Sequence, residues 1–197
     1  MATRKKRRAA LIQYNAPTTL TFTLMCLFVL FLDLITGGNS TMKLFCVYRS
    51  DMADPLSYVR LFTHVFGHAD FSHLTGNLLL MLVIGPALEE RYGSGNMWWA
   101  IAVTALVSGL IQCLFFPGVA LMGASGIVFM MIIMSSLGGM RGGIPITLIL
   151  VFVIYIGGEI YDGVVAQDNI SQITHIVGGI CGAVMGIGMR IRRRPKR

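Results

Sequence analysis

Charge is scarce in this chain. Of its 197 residues only 13% are Asp, Glu, Lys or Arg, while 55% are hydrophobic and the mean hydropathy is +0.72. That balance excludes a soluble globular domain and leaves apolar runs long enough to cross a bilayer. Acidic residues are fewer than basic ones, giving a formal net charge of +7. The excess is not spread over a face, however, as a nucleic-acid surface would need. Arg4, Lys5, Lys6, Arg7 and Arg8 open the chain, and Arg190, Arg192, Arg193, Arg194, Lys196 and Arg197 close it. Basic clusters beside apolar spans act as orientation signals and contacts for anionic lipid, so nucleic acid is not an expected partner. Cysteine is sparse too. Cys26, Cys46, Cys113 and Cys181 form no CxxC pair, which argues against a disulfide or zinc framework. No A-x-A site follows the first apolar run, so it reads as a retained helix and not as a signal peptide. No internal repeat is visible, which removes one signature of many transporters.

What the chain does contain is six apolar spans: Thr18 to Thr36, Phe71 to Tyr92, Met97 to Phe116, Val119 to Leu137, Ile144 to Tyr161 and Ile170 to Ile191. The expected fold is an all-α membrane protein, a six-transmembrane-helix bundle. One domain covers 1–197: a basic tail at 1–17, the core at 18–191 and a second tail at 192–197. Both tails, Arg91 and Arg141 fall on one side, against Lys43, Arg49 and Arg60 on the other, which predicts cytoplasmic termini. The long first outer connection, Gly37 to Asp70, carries Phe45, Phe62, Phe66 and other apolar residues. It is expected to lie partly in the membrane as short interfacial helices, because lipid leaves no exposed backbone group a partner.

Polar residues inside spans are costly and therefore candidates for function. His73 and Asn77, four apart, share a face of span two. Ser125 lies in span four, within Gly123-Ala124-Ser125-Gly126, and His175 lies in span six. Counting about 1.5 Å per residue from the cytoplasmic ends puts all four at similar depth, about 18 to 24 Å up. Gly178, Gly182 and Gly186 line the helix that carries His175, and Gly123 and Gly126 flank the serine. Small residues at these places let two helices approach closely enough for a serine to meet a histidine. Glycine stripes of this kind also serve packing alone.

These residues resemble the rhomboid family of intramembrane serine proteases, over about residues 18 to 191. His73-Leu-Thr-Gly-Asn77 is similar to the family's HxxxN, Gly123-Ala-Ser125-Gly126 to its GxSG, and Thr174-His175-Ile-Val-Gly178 to its last-helix histidine with spaced glycines. Glu89-Glu-Arg91 resembles its ExR element, and Arg60 the arginine of its Trp-Arg pair. Three positions depart from the pattern: Thr174 for alanine, Val59 for tryptophan, and Phe129 for the tyrosine one turn after the serine. The resemblance implies a rhomboid-like bundle that cuts transmembrane protein substrates near the outer end of a helix, in a membrane expected to be the bacterial inner membrane. It makes Ser125 the nucleophile and His175 the base of a dyad, with no carboxylate to complete a triad. The Ser125 N–H, His73 and Asn77 form the oxyanion hole. Gly123, Gly126, Phe129, Gly178, Gly182, Glu89 and Arg91 give support. No cofactor and no metal are implied; His64 and His68 are expected to line an approach for water. The alternatives are an inactive rhomboid-like protein that binds transmembrane helices and a small polytopic transporter using His73, Asp33 and Glu159.

Overall fold

The structure, a computed structural model, describes residues 14–138 and 169–189, with Ile146, Ile149, Leu150 and Val153 between them. The basic clusters at both ends, Arg141, most of the expected fifth span and Glu159 lie outside the described residues. The helices are α1 (Pro17–Thr36), α2 (Asn39–Leu44), α3 (Pro55–Thr63), α4 (Phe71–Tyr92), α5 (Ser94–Phe115), α6 (Ser125–Gly138) and α7 (Asn169–Gly188). A 3-10 turn, His64–Phe66, follows α3. Among the described residues there is no β-strand; Val47 and Leu121 form a single antiparallel bridge.

Among the described residues three helices, α1, α4 and α5, are long and apolar enough to cross a membrane. Their outward faces carry Phe28, Phe31, Leu79, Val83 and Leu114, all exposed. Large exposed apolar side chains at helical spacing are what a helix offers to lipid, and this is an integral membrane protein. In α6 the pattern differs: from Gly126 to Met134 every residue is buried. A helix apolar all round belongs at the centre of a bundle. Around it, α7 makes the largest interface of any described helix pair. Ile176, Ile180, Val184 and Ile187 keep one face of α7 exposed, while its glycines turn to α6.

The start of α6 departs from expectation. The fourth span was expected from Val119, but the helix begins at Ser125, and 119–124 run without helix past Val47. Val47 and Leu121 exchange backbone hydrogen bonds of 2.9 and 2.8 Å, which satisfy groups that a helix would otherwise pair internally. Gly123 then turns with φ +124°, a conformation that side chains with a Cβ rarely adopt. The described helix, 14 residues, rises about 21 Å.

The other end of the bundle is tied by charge. No side chain of its own segment caps α1. Instead the Glu89 carboxylate, from α4, accepts from the Thr18 N–H at 2.7 Å, the Thr19 N–H at 3.0 Å and the Thr19 hydroxyl at 3.1 Å. An anion at a helix N-terminus satisfies orphan donors and meets the positive end of the dipole. Arg91, the other support residue of the Glu89-Glu-Arg91 element, lies with its guanidinium 5.9 Å from the centre of the Tyr92 ring.

Candidate active site

Ser125 is the first residue of α6, half-buried, just after the Gly123 turn. The first intrahelical bond here runs from the Val128 N–H to the Ala124 carbonyl at 2.9 Å. The N–H groups of Ser125, Gly126 and Ile127 therefore have no acceptor within the helix, the usual condition of a first turn. A developing negative charge beside Ser125 would meet those donors and the positive helix end together.

The α6–α7 seam brings His175 to this turn. A Cβ on Gly178 would run into the Gly126 carbonyl oxygen, and one on Gly182 into that of Met130. A Cβ on Gly126 would stand 3.0 Å from the Thr174 methyl. Backbone thus lies on backbone one and two turns after His175, and the Thr174 side chain closes against Gly126 just before it. Its imidazole is buried and stacks on Phe129, with ring centres 5.6 Å apart and planes at 23°. Phe129 sits one turn along α6 from Ser125, on the same face. Serine and histidine thus share one side of the seam. The phenylalanine found where the family favours tyrosine supplies a flat apolar floor for the ring.

From α4, His73 comes to the same place. Its ring lies against Gly123, where a Cβ would stand 2.8 Å from Cε1 and Nε2. That close approach explains the first glycine of the quartet as well as its φ does. The helix is started for His73 by Asp70, whose carboxylate accepts the His73 N–H at 2.7 Å. Asn77, one turn on, is buried, and its Nδ2 has no hydrogen-bond partner among the described residues. A buried amide donor left open calls for an explanation.

His64 and His68 were expected along an approach for water. Both are instead buried, and they hold the loop that carries the serine. The His64 carbonyl accepts the Gly123 N–H at 3.0 Å, and His68 Nε2 accepts the Ala124 N–H at 3.4 Å. His68 Nδ1 lies 3.2 Å from the Phe66 carbonyl, which fixes the proton on that nitrogen and frees Nε2 to accept. Burial pushes both imidazoles down to about 4, with the neighbouring His73 adding to the effect on His68. Both rings are then neutral near pH 7. The spacing of His68 from Ser125 in sequence gave no sign of this contact.

The chain is similar to known proteins over most of its length. Residues 55–192 match the model of the Rhomboid domain. The chain is 29% identical over 174 residues to the Rhomboid protease GlpG of Serratia proteamaculans (strain 568), a match covering 86% of this chain and 61% of that protein. It is 31% identical over 121 residues to the Rhomboid protease GlpG of Salmonella paratyphi A (strain ATCC 9150 / SARB42), covering 61% of this chain and 43% of that protein. The chain thus spans less than two thirds of the length of either relative. With the domain match extending over most of its residues, this chain belongs to the rhomboid family.

Proposed function

We propose that the protein is an intramembrane serine peptidase acting on the transmembrane helices of other proteins. The single observation that carries the reading is the seam itself: His175 stacked on Phe129, one turn from Ser125 at the open end of α6. In this mechanism the His175 imidazole takes the Ser125 proton as the oxygen attacks a scissile carbonyl. The oxyanion that forms is held by the Ser125 N–H, the open Asn77 Nδ2–H and His73. His175 then protonates the departing amine, and water releases the acyl group from Ser125. No carboxylate is assigned to the imidazole; the Phe129 ring below it orients it by packing.

A substrate helix hides its carbonyls in its own hydrogen bonds, so it must unwind before it can be cut. Segments with glycine, proline or other weak helix formers are favoured. The six-span topology, cytoplasmic termini and a bacterial inner membrane belong to the same proposal. They rest on the charge pattern and on the kinship with the rhomboid proteases.

The test is cleavage of a labelled transmembrane substrate by purified protein in liposomes. Ser125→Ala and His175→Ala should each abolish it, and a fluorophosphonate should label the native protein but not S125A. Turnover persisting in S125A would end the proposal. Asn77→Ala should lower kcat by about 100- to 1,000-fold with little change in KM, because its contact forms in the transition state.

A further inference from the structure

Away from the serine, the groove between α3 and the C-terminal end of α5 encloses about 380 Å³. Its walls are apolar, from Leu61, Leu110, Leu114, Met52 and Tyr58. Leu114, Met52 and Tyr58 are exposed, and Phe115 beside them is exposed as well, so the groove opens where the bundle meets lipid. Its floor is closed by Leu61 against α5, where a Cβ on Gly109 would stand 3.1 Å from it.

The polar groups around the groove are turned to protein partners, apart from the buried Arg60 Nη1 and the outward donors of Arg49. The Ser50 and Ser57 hydroxyls bond each other at 2.7 Å, and the Tyr58 hydroxyl donates to the Met52 carbonyl at 3.2 Å. Asp51 accepts from the Ala53 N–H. Arg60, over the ring of Tyr48, is buried and paired with Asp54 at 2.6 Å. Arg49 is different. It is exposed, and its Nε and Nη2 donate to the Cys113 and Leu114 carbonyls at 2.9 and 3.3 Å. A guanidinium has five N–H donors in a rigid fork, and these two bonds leave the rest facing outward. The fork is therefore held in place on the last turn of α5, with donors to spare, at the rim of an apolar slot.

We propose that this groove binds one anionic phospholipid, its phosphate on Arg49 and the upper part of an acyl chain between α3 and α5. An amphiphile is required because a purely apolar ligand would leave the fixed guanidinium open, and a soluble anion would leave the slot empty. The volume falls within the range of ligand pockets yet is too small for a whole lipid, so the second chain stays in the bilayer. The inference does not depend on the peptidase reading.

The experiment is native mass spectrometry of the full chain taken from bilayers of equal phosphatidylglycerol and phosphatidylcholine into a mild detergent. Wild type should retain one phosphatidylglycerol about fivefold over phosphatidylcholine. Arg49→Gln should erase that preference. Lys43→Gln, which removes another exposed cation of the same connection, should leave it intact. Equal retention of the two lipids by wild type, a preference surviving in R49Q, or one lost equally in K43Q would overturn the site. Should R49Q fail to fold, Leu110→Trp decides: it fills the slot and leaves Arg49, and undiminished phosphatidylglycerol retention in it would also refute the proposal.

Discussion

The α6–α7 seam and the α1–α4 contact join helices by opposite means. At the seam, α7 has glycine at 178 and 182, and each lies on a carbonyl of α6. At the other contact, one buried carboxylate takes three donors from the start of α1. The first junction rests on shape, the second on charge. In lipid there is no hydrophobic drive between helices, so close packing and buried polar bonds are the two means available. Shape is used where two side chains must be placed against each other, since backbone contact fixes the helix separation without any rotamer freedom. Charge is used where an end must be tied down, far from the serine.

The strongest way to break this contrast is at the seam. Gly178→Val puts a branched side chain where the Gly126 carbonyl already stands, and neither partner is a flexible side chain that could move aside. We expect a loss of about 3 kcal/mol or more, with α7 displaced and cleavage abolished. Thermal unfolding in detergent, together with fluorophosphonate labelling of Ser125, checks both halves. A variant of unchanged stability and labelling would show that the seam does not set the spacing. At the charged contact, Glu89→Gln keeps the shape and removes the charge. Its carbonyl can still serve one donor, so the expected loss is smaller, about 1 to 2 kcal/mol. Labelling of Ser125 should survive wherever the protein remains folded.

A third junction, the clamp of His64 and His68 on the serine loop, can be probed by pH. Both imidazoles are held down to about 4 by burial, against 6.5 in an open chain. Between those values the unfolded chain binds protons that the folded one refuses, so stability should be full above pH 6.5 and decline as pH falls toward 4. Protonation of His68 would also replace the acceptor that meets the Ala124 N–H with a donor. Unfolding midpoints measured from pH 7.5 to 4.5 test this. A flat profile in wild type, or an unchanged slope in His68→Gln, would show that the rings are not held neutral by the fold.

These junctions were unequally legible in the sequence. The long apolar runs announced α1, α4 and α5, because spanning length and composition are local properties. Ser125, His175, His73 and Asn77 could be singled out as polar residues in apolar company, and the glycine spacing of α7 marked its contact face. The start of α6 could not be read. Hydropathy treats Val119 to Ala124 as more of the same span, whereas pairing with Val47 and the Gly123 turn, both long-range matters, hold it extended. Glu89 was visible only as part of a motif beside Arg91. Its partners, Thr18 and Thr19, lie about 70 residues earlier, and nothing in their spacing announces them. His64 and His68 were recognised as polar but misplaced, since their bonds depend on which backbone passes them in the folded chain.

The smallest expected effect isolates what the seam requires. Gly186 continues the same glycine stripe on α7, eight residues after Gly178, and a Cβ there would meet Leu137 and the Met134 Cα at 3.4 Å, an ordinary contact. Gly186→Ala should therefore encounter no carbonyl. In a helix interior alanine is favoured over glycine by about 1 kcal/mol, and a slight adjustment of the Leu137 side chain offsets part of that. The net change should lie within about 0.5 kcal/mol of zero, with Ser125 labelling and cleavage as in wild type. Gly178→Ala, the same substitution in the same stripe, should be severely destabilising. If the two alanine variants were alike, the stripe would be acting through helix flexibility or propensity. A large difference between them would instead locate the requirement in the stretch where the two backbones touch, at Gly178 and Gly182, and not at Gly186.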